Sequence, residues 1–123
     1  MHVLPYWEGV PITHAMAFVK ERYNDLKQAF PGKKIVFGEV GWPSDGPAFR
    51  QAVPGRPSQA IFLRRFLNWA EDNLIDYFVV EAFDQPRKLT EEGTVGAYWG
   101  IFNAEREPKF SMQGPVSSIS DWP

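Results

Sequence analysis

The chain has 123 residues, 44 % apolar and 23 % charged, with a formal net charge of −2. That suits one modest soluble domain with its own core and gives no electrostatic ground for a nucleic-acid partner. There is no cysteine, which excludes disulfide scaffolds, thiolate metal sites and cysteine nucleophiles and leaves the compartment open.

No apolar run approaches the ~20 residues that span a bilayer, and the residues after Met1 lack the basic-then-apolar pattern of a signal peptide. Residues 2–6 (HVLPY) read as a short strand, with Trp7-Glu8-Gly9 leaving it. A helical period follows over residues 12–30, where Ile12, Met16, Val19, Tyr23, Leu26 and Phe30 recur at three- and four-residue steps. Pro31-Gly32 stops it. Residues 35–40 (IVFGEV) form the next strand, and the proline-rich residues 43–57 a long loop. Ser58 is a fair N-cap for a second helix over residues 59–73, with Phe62, Phe66 and Trp69 on its apolar stripe. Residues 75–83 (IDYFVVEAF) read as a third strand, apolar enough to be covered on both faces. Residues 84–94 are polar, residues 95–102 aromatic, and the tail from Ser111 reads as loosely structured.

Strand, helix, strand, helix, strand is the pattern of βαβ units on a parallel sheet, an α/β fold. Tyr6-Trp7-Glu8, Glu39 with Trp42, and Glu81-Phe83-Asp84 all fall at C-terminal strand ends, where parallel α/β folds gather ligand-binding groups. Side-chain alternation puts Ile35, Phe37 and Glu39 on one face of the second strand. It also puts Ile75, Tyr77, Val79, Glu81 and Phe83 on one face of the third. If those faces line a barrel, Glu39 and Glu81 both point to its mouth. Carboxylates beside indole and phenol rings suit carbohydrate chemistry: rings stack on sugar C–H faces, and most glycosidases work with two carboxyl groups.

The segment "GEVGWPSDG" resembles the nucleophile signature of family 17 glycoside hydrolases, the β-1,3-glucanase family. "HVLPYWEG" is similar to the end of that family's sixth barrel strand, above all in its bacterial branch. "SQAIFLRRFLNWA" resembles the helix that follows, and "YFVVEAFDQPRK" with "GAYWGIF" the eighth strand and closing segment. The resemblance runs from His2 to about Lys109 and implies a partial TIM (β/α)8 barrel, strands six to eight with their helices, over residues 1–110, with residues 111–123 a tail. It implies that Glu39 is the catalytic nucleophile and that the substrate is a β-glucan. It also implies that Tyr6, Trp7 and Glu8 line the cleft, although aromatic core is an alternative for them. Trp42 reads as a sugar platform or as barrel-rim packing, and Glu81 as a catalytic accessory or a paired structural carboxylate. Phe83, Asp84, Gln85 and Lys88 match a family pattern of substrate-cleft residues. Gln85 stands where plant members carry Glu, and Arg87 where bacterial relatives commonly have Trp. The tail resembles the exit segment of bacterial homologues in which this domain belongs to a larger membrane-bound protein.

No metal or cofactor is implied. His2 and His14 lack a carboxylate cluster at metal-ligand spacing, Ser44 has no nucleophile elbow, and no phosphate-cradling loop is present. A whole TIM barrel takes about 250 residues, and the family's general acid/base, a Glu after an Asn on the fourth strand, has no counterpart here. That segment is expected upstream of Met1, so one copy of this chain is not expected to complete a retaining mechanism. Open strand edges favour a homo-oligomer or association with the missing barrel half. Two readings therefore stand: a β-1,3-glucan-active hydrolase or transglycosylase fragment, or a catalytically inactive, self-associating or glucan-binding module.

Overall fold

A computed structural model describes residues 1–91, 93–114 and 116. The chain enters through a short strand, β1 (His2–Val3), and turns at once into a 3₁₀ turn, Pro5–Glu8. The predicted strand over residues 2–6 thus ends early. Pro5 has no N–H for a ladder, and Gly9 closes the turn at φ 70° with its N–H on the Pro5 and Tyr6 carbonyls. Helix α1 (Ile12–Ala29) follows, burying Ala15, Met16 and Val19. Gly32, at φ +79°, then reverses the chain after Pro31.

Strand β2 (Val36–Val40) pairs parallel to both β1 and β3 (Asp76–Val79), giving the order β1-β2-β3. Helix α2 (Arg56–Asp72) connects β2 to β3. It begins before Ser58, the predicted cap. Gly55 holds the N-cap position and its carbonyl accepts from Gln59 N at 2.8 Å. Pro57 is tolerated in the first turn because no N–H is needed there.

The third strand also departs from expectation. It covers four residues, and beyond Val80 the chain leaves β2 to pair with the closing segment. Glu81 N donates to Trp99 O, and Phe102 N to Ala82 O. The strand is an edge, with Tyr77 37 % and Phe78 68 % exposed, so it is not covered on both faces. No helix among the described residues is long and apolar enough to cross a membrane.

Alternation along β2 fails for a definite reason. The ladder pairs Phe37 with Tyr77 but Val40 with Val79, a bulge of one extra residue. Phe37 and Val40 both point to the helices and are fully buried. Phe37 stacks on Tyr23 (centroids 5.9 Å apart, 13° between planes) and meets Phe66 edge-on at 5.2 Å. Burying one such ring contributes about 1.5–3 kcal/mol. Tyr77 also meets Phe66, at 5.3 Å, so the face of β3 expected to line a barrel is its helix face. Gly38 and Glu39, between Phe37 and Val40, take the opposite, open face.

Candidate active site

Glu39 lies on the open face one residue before the end of β2, its side chain 44 % exposed. It lines a cleft of about 470 Å³ with Leu4, Trp7, Val80, Lys88 and Trp99. Trp7, on the 3₁₀ turn after β1, is 45 % exposed and lies nearly parallel to Trp99 (21°, centroids 6.5 Å). The cleft therefore combines one carboxylate, an indole wall and one ammonium group. The Lys88 ammonium sits 3.3 Å from Glu81 Oε2, and both side chains are about one-fifth exposed. Glu81 reaches the cleft through that cation. Across the ladder from Glu39 stands His2, with Nδ1 3.5 Å from Oε2.

Of two glycines in the motif, one is explained by space and the other lies under a side chain. A Cβ on Gly41 would run into the Val80 carbonyl, so this glycine lets the exit of β2 touch the end of β3. A Cβ on Gly38 would lie 2.7 Å from His2 Nε2.

The other predicted residues separate into distinct places. Tyr6 is 2 % exposed and donates from its hydroxyl to the Pro47 carbonyl at 2.8 Å, and burial pushes its phenol pKa above the ordinary value. Trp42 is fully buried among Tyr6 and Phe62. Neither ring offers a face to solvent, so the sugar-platform expectation for Trp42 gives way to packing under the rim. Glu8 is exposed but lines a neighbouring hollow of about 430 Å³ with His2, Phe18 and Arg22, not the Glu39 cleft. Phe83 packs on Phe102 at 5.8 Å, under the Arg106 guanidinium. Gln85 caps the 3₁₀ turn Pro86–Leu89 that carries Lys88, its N–H bonded to Ala97 O at 3.0 Å.

Asp84 is a brace. Its carboxylate takes the Lys109 ammonium at 2.6 Å and the Gly100 N–H at 3.0 Å, with both charged side chains under 10 % exposed. Lys109 also donates to Ser44 Oγ at 2.8 Å. Burial lowers the Lys109 pKa, against the opposing pull of the hydrogen bond and charge of Asp84. Gln59, fully buried on α2, donates its amide to the carbonyls of Trp42 (2.9 Å), Gly100 (3.2 Å) and Trp99 (3.4 Å). Together these bonds hold the loop after β2 and the closing segment in place behind the cleft.

Trp99, Leu4 and Val80 were not singled out as site residues from the sequence. All three lie inside segments quoted for the resemblance, Leu4 in "HVLPYWEG", Val80 in "YFVVEAFDQPRK" and Trp99 in "GAYWGIF", but nothing in their residue types marked them as cleft lining. The tail predicted from Ser111 falls largely outside the described residues; within them, Arg64 Nε and Nη2 donate to Ser111 O at 3.0 and 2.8 Å.

The BtgE/BtgC glycoside hydrolase domain model matches residues 1–100. A glucan 1,3-beta-glucosidase of Arthroderma benhamiae is 27 % identical over 98 % of this chain and 44 % of its own length. The solved glycoside hydrolase family 17 β-1,3-glucanosyltransferase of Rhizomucor miehei is 30 % identical, with a TM-score of 0.81, over 97 % of this chain and 41 % of that one. An active-site mutant of the R. miehei β-1,3-glucanosyltransferase in complex with laminaritriose gives a TM-score of 0.84 at 29 % identity, over 92 % and 42 %. These relatives are fungal and give no support to the bacterial branch suggested by the sequence motifs. The chain spans less than half of each, and its three parallel strands with their helices are the matching part of a TIM barrel. It belongs to the BtgE/BtgC glycoside hydrolase domain family, within glycoside hydrolase family 17.

Proposed function

We propose that this chain carries the nucleophile half of a retaining β-1,3-glucan hydrolase or glucanosyltransferase, with Glu39 as nucleophile. The observation that carries this is the position of Glu39, at the C-terminal end of a parallel strand, in an open cleft walled by Trp7 and Trp99. A Glu39 oxygen attacks the anomeric carbon, the bond from that carbon to the leaving oxygen breaks, and a glycosyl ester forms. A sugar hydroxyl or water, giving up its proton to the carboxylate that served as acid in the first step or, where that group is absent, to solvent, then attacks the same carbon and frees the Glu39 carboxylate. Trp7 offers the ring on which a glucosyl face stacks, and Lys88, neutralised in part by Glu81, brings positive charge beside the nucleophile. The acid that protonates a natural leaving group stands about 5–5.5 Å from the nucleophile in retaining enzymes, and no residue of this chain is assigned that role.

The test uses a donor whose leaving group needs no proton. A dinitrophenyl β-laminaribioside is expected to release dinitrophenol in the presence of the chain, and Glu39→Gln to cut that release by about 10³-fold or more. Equal release by Glu39→Gln would end the assignment.

A second reading, self-association through the strand edges, is favoured by the exposure of Leu74 (91 %) and Phe78 (68 %) beside the free edge of β3. Light scattering at rising concentration tests it, and a monomer throughout would refute it. A membrane-bound parent is proposed on the tail's resemblance alone; co-sedimentation of the full-length protein with membranes tests that.

A further inference from the structure

We propose that His2 is the positioning residue for Glu39, and that the bare backbone of Gly38 is the seat that lets its imidazole reach the carboxylate. This rests on Glu39 being the nucleophile.

Three features converge on the pair. The ladder puts His2 directly opposite Glu39, and the Gly38 N–H is tied to the Met1 carbonyl at 2.7 Å. The bulge in β2 turns both Gly38 and Glu39 towards the open face, where the imidazole lies. A Cβ at 38 would stand 2.7 Å from Nε2 and 2.9 Å from Cδ2, closer than a side chain can approach a ring. No positive φ is recorded for Gly38 and the nearest backbone atom, Met1 O, would lie 3.8 Å from a Cβ, so a side chain at 38 would act on the exposed ring of His2 and turn it out of its seat. The ring is thus seated over bare backbone, with Nδ1 turned to Glu39 Oε2 at 3.5 Å. A small side-chain rotation closes that distance to a hydrogen bond.

The chemical consequence is a division of labour between two otherwise equivalent oxygens. A half-exposed glutamate at a strand end samples several rotamers, and only some of them aim an oxygen at an anomeric carbon. Holding Oε2 against His2 leaves Oε1 to attack from a fixed direction. The other charged groups nearby are placed differently: Lys88 faces the cleft, while Glu8, Arg22 and Asp25 line the hollow on the far side of His2. An ordinary surface ion pair would contribute little to stability and nothing to reactivity. A positioning contact does the reverse, because misplacement by about 1 Å can cost on the order of 10²-fold in rate.

The experiment treats the chain with 2,4-dinitrophenyl 2-deoxy-2-fluoro-β-laminaribioside, which accumulates the glycosyl ester, and follows adduct formation by intact mass and peptide mapping. The wild-type chain is expected to carry the adduct on Glu39. His2→Ala should lower the limiting labelling rate by about 10–100-fold while leaving the half-saturating concentration and the melting temperature unchanged. His2→Asn, whose amide nitrogen falls near the place of Nδ1, should restore most of the rate. Gly38→Ala should slow labelling similarly, and the His2→Ala/Gly38→Ala double variant should be no slower than the slower single one.

Wild-type labelling rates in His2→Ala would overturn the role of His2 and leave Glu39 as nucleophile. So would a His2→Asn variant as slow as His2→Ala. Absence of adduct in the wild-type chain, or an undiminished adduct in Glu39→Gln, would overturn the nucleophile reading and this inference with it.

Discussion

The two faces of the sheet follow different rules. Towards the helices, Phe37, Val40, Phe66 and Trp42 are fully buried, with Phe37 edge-on to Phe66 and Trp42 against Phe62. Towards the open side, the same short strand presents Gly38 and Glu39, flanked by an exposed His2 and Trp7. Stability is concentrated on one side and the proposed chemistry on the other, and a single bulge sorts them. Substitutions on either side should therefore move one property and spare the other.

Replacing Glu39 by Gln is expected to remove reactivity at little cost in melting temperature. Phe37→Ala sharpens the contrast from the other side: it should cost about 3–5 kcal/mol in urea unfolding, as large-to-small core changes do. Asp84→Ala tests whether the charged brace belongs to the stability side. Stranding a buried ammonium should cost about 3–5 kcal/mol, and a paired Asp84→Leu/Lys109→Met replacement should recover much of it. If Asp84→Ala instead slows glycosyl transfer in a fully folded chain, the division is drawn in the wrong place.

A gentler probe is pH. The folded chain releases the Lys109 proton below the ordinary lysine value of 10.5. Between the folded and unfolded values the unfolded state binds more protons, so this group makes stability rise with pH through that window. Below the folded value its burial penalty is present in full. Relative to Lys109→Met, the wild-type chain should gain stability as pH rises towards 10.5, and parallel profiles would contradict this. The smallest effect is expected at the exposed edge. Phe78→Lys should change stability by no more than about 0.5 kcal/mol while reducing any concentration-dependent association seen by light scattering.

What was legible in the sequence was local. Helix α1 was readable because a 3.6-residue period ran unbroken to Pro31-Gly32, and β2 because a β-branched and aromatic run ended in glycine. The strand-end placement of Glu39 followed from the same run. What was not legible depends on distant partners. Alternation assigned Phe37 and Glu39 to one face, since a bulge set by the pairing of β2 with β3 leaves no mark in six letters. The third strand was drawn too long because residues 75–83 read as one mostly apolar run, whereas residues 81–84 pair with residues 99–102. Trp42 looked like a platform because its motif is loop-like, whereas its burial comes from Tyr6 and Phe62, each some way off in sequence.

Gln59 brings this to the order in which the molecule assembles. Its amide joins carbonyls 17, 40 and 41 residues away. The helices can form from neighbours, but the wall behind the cleft exists only once a span of some forty residues has closed on itself, an entropic cost that local contacts do not bear. The two helices should therefore be an early acquisition in folding, and the sheet pairing and the wall behind the cleft, which both close spans of about forty residues, later ones.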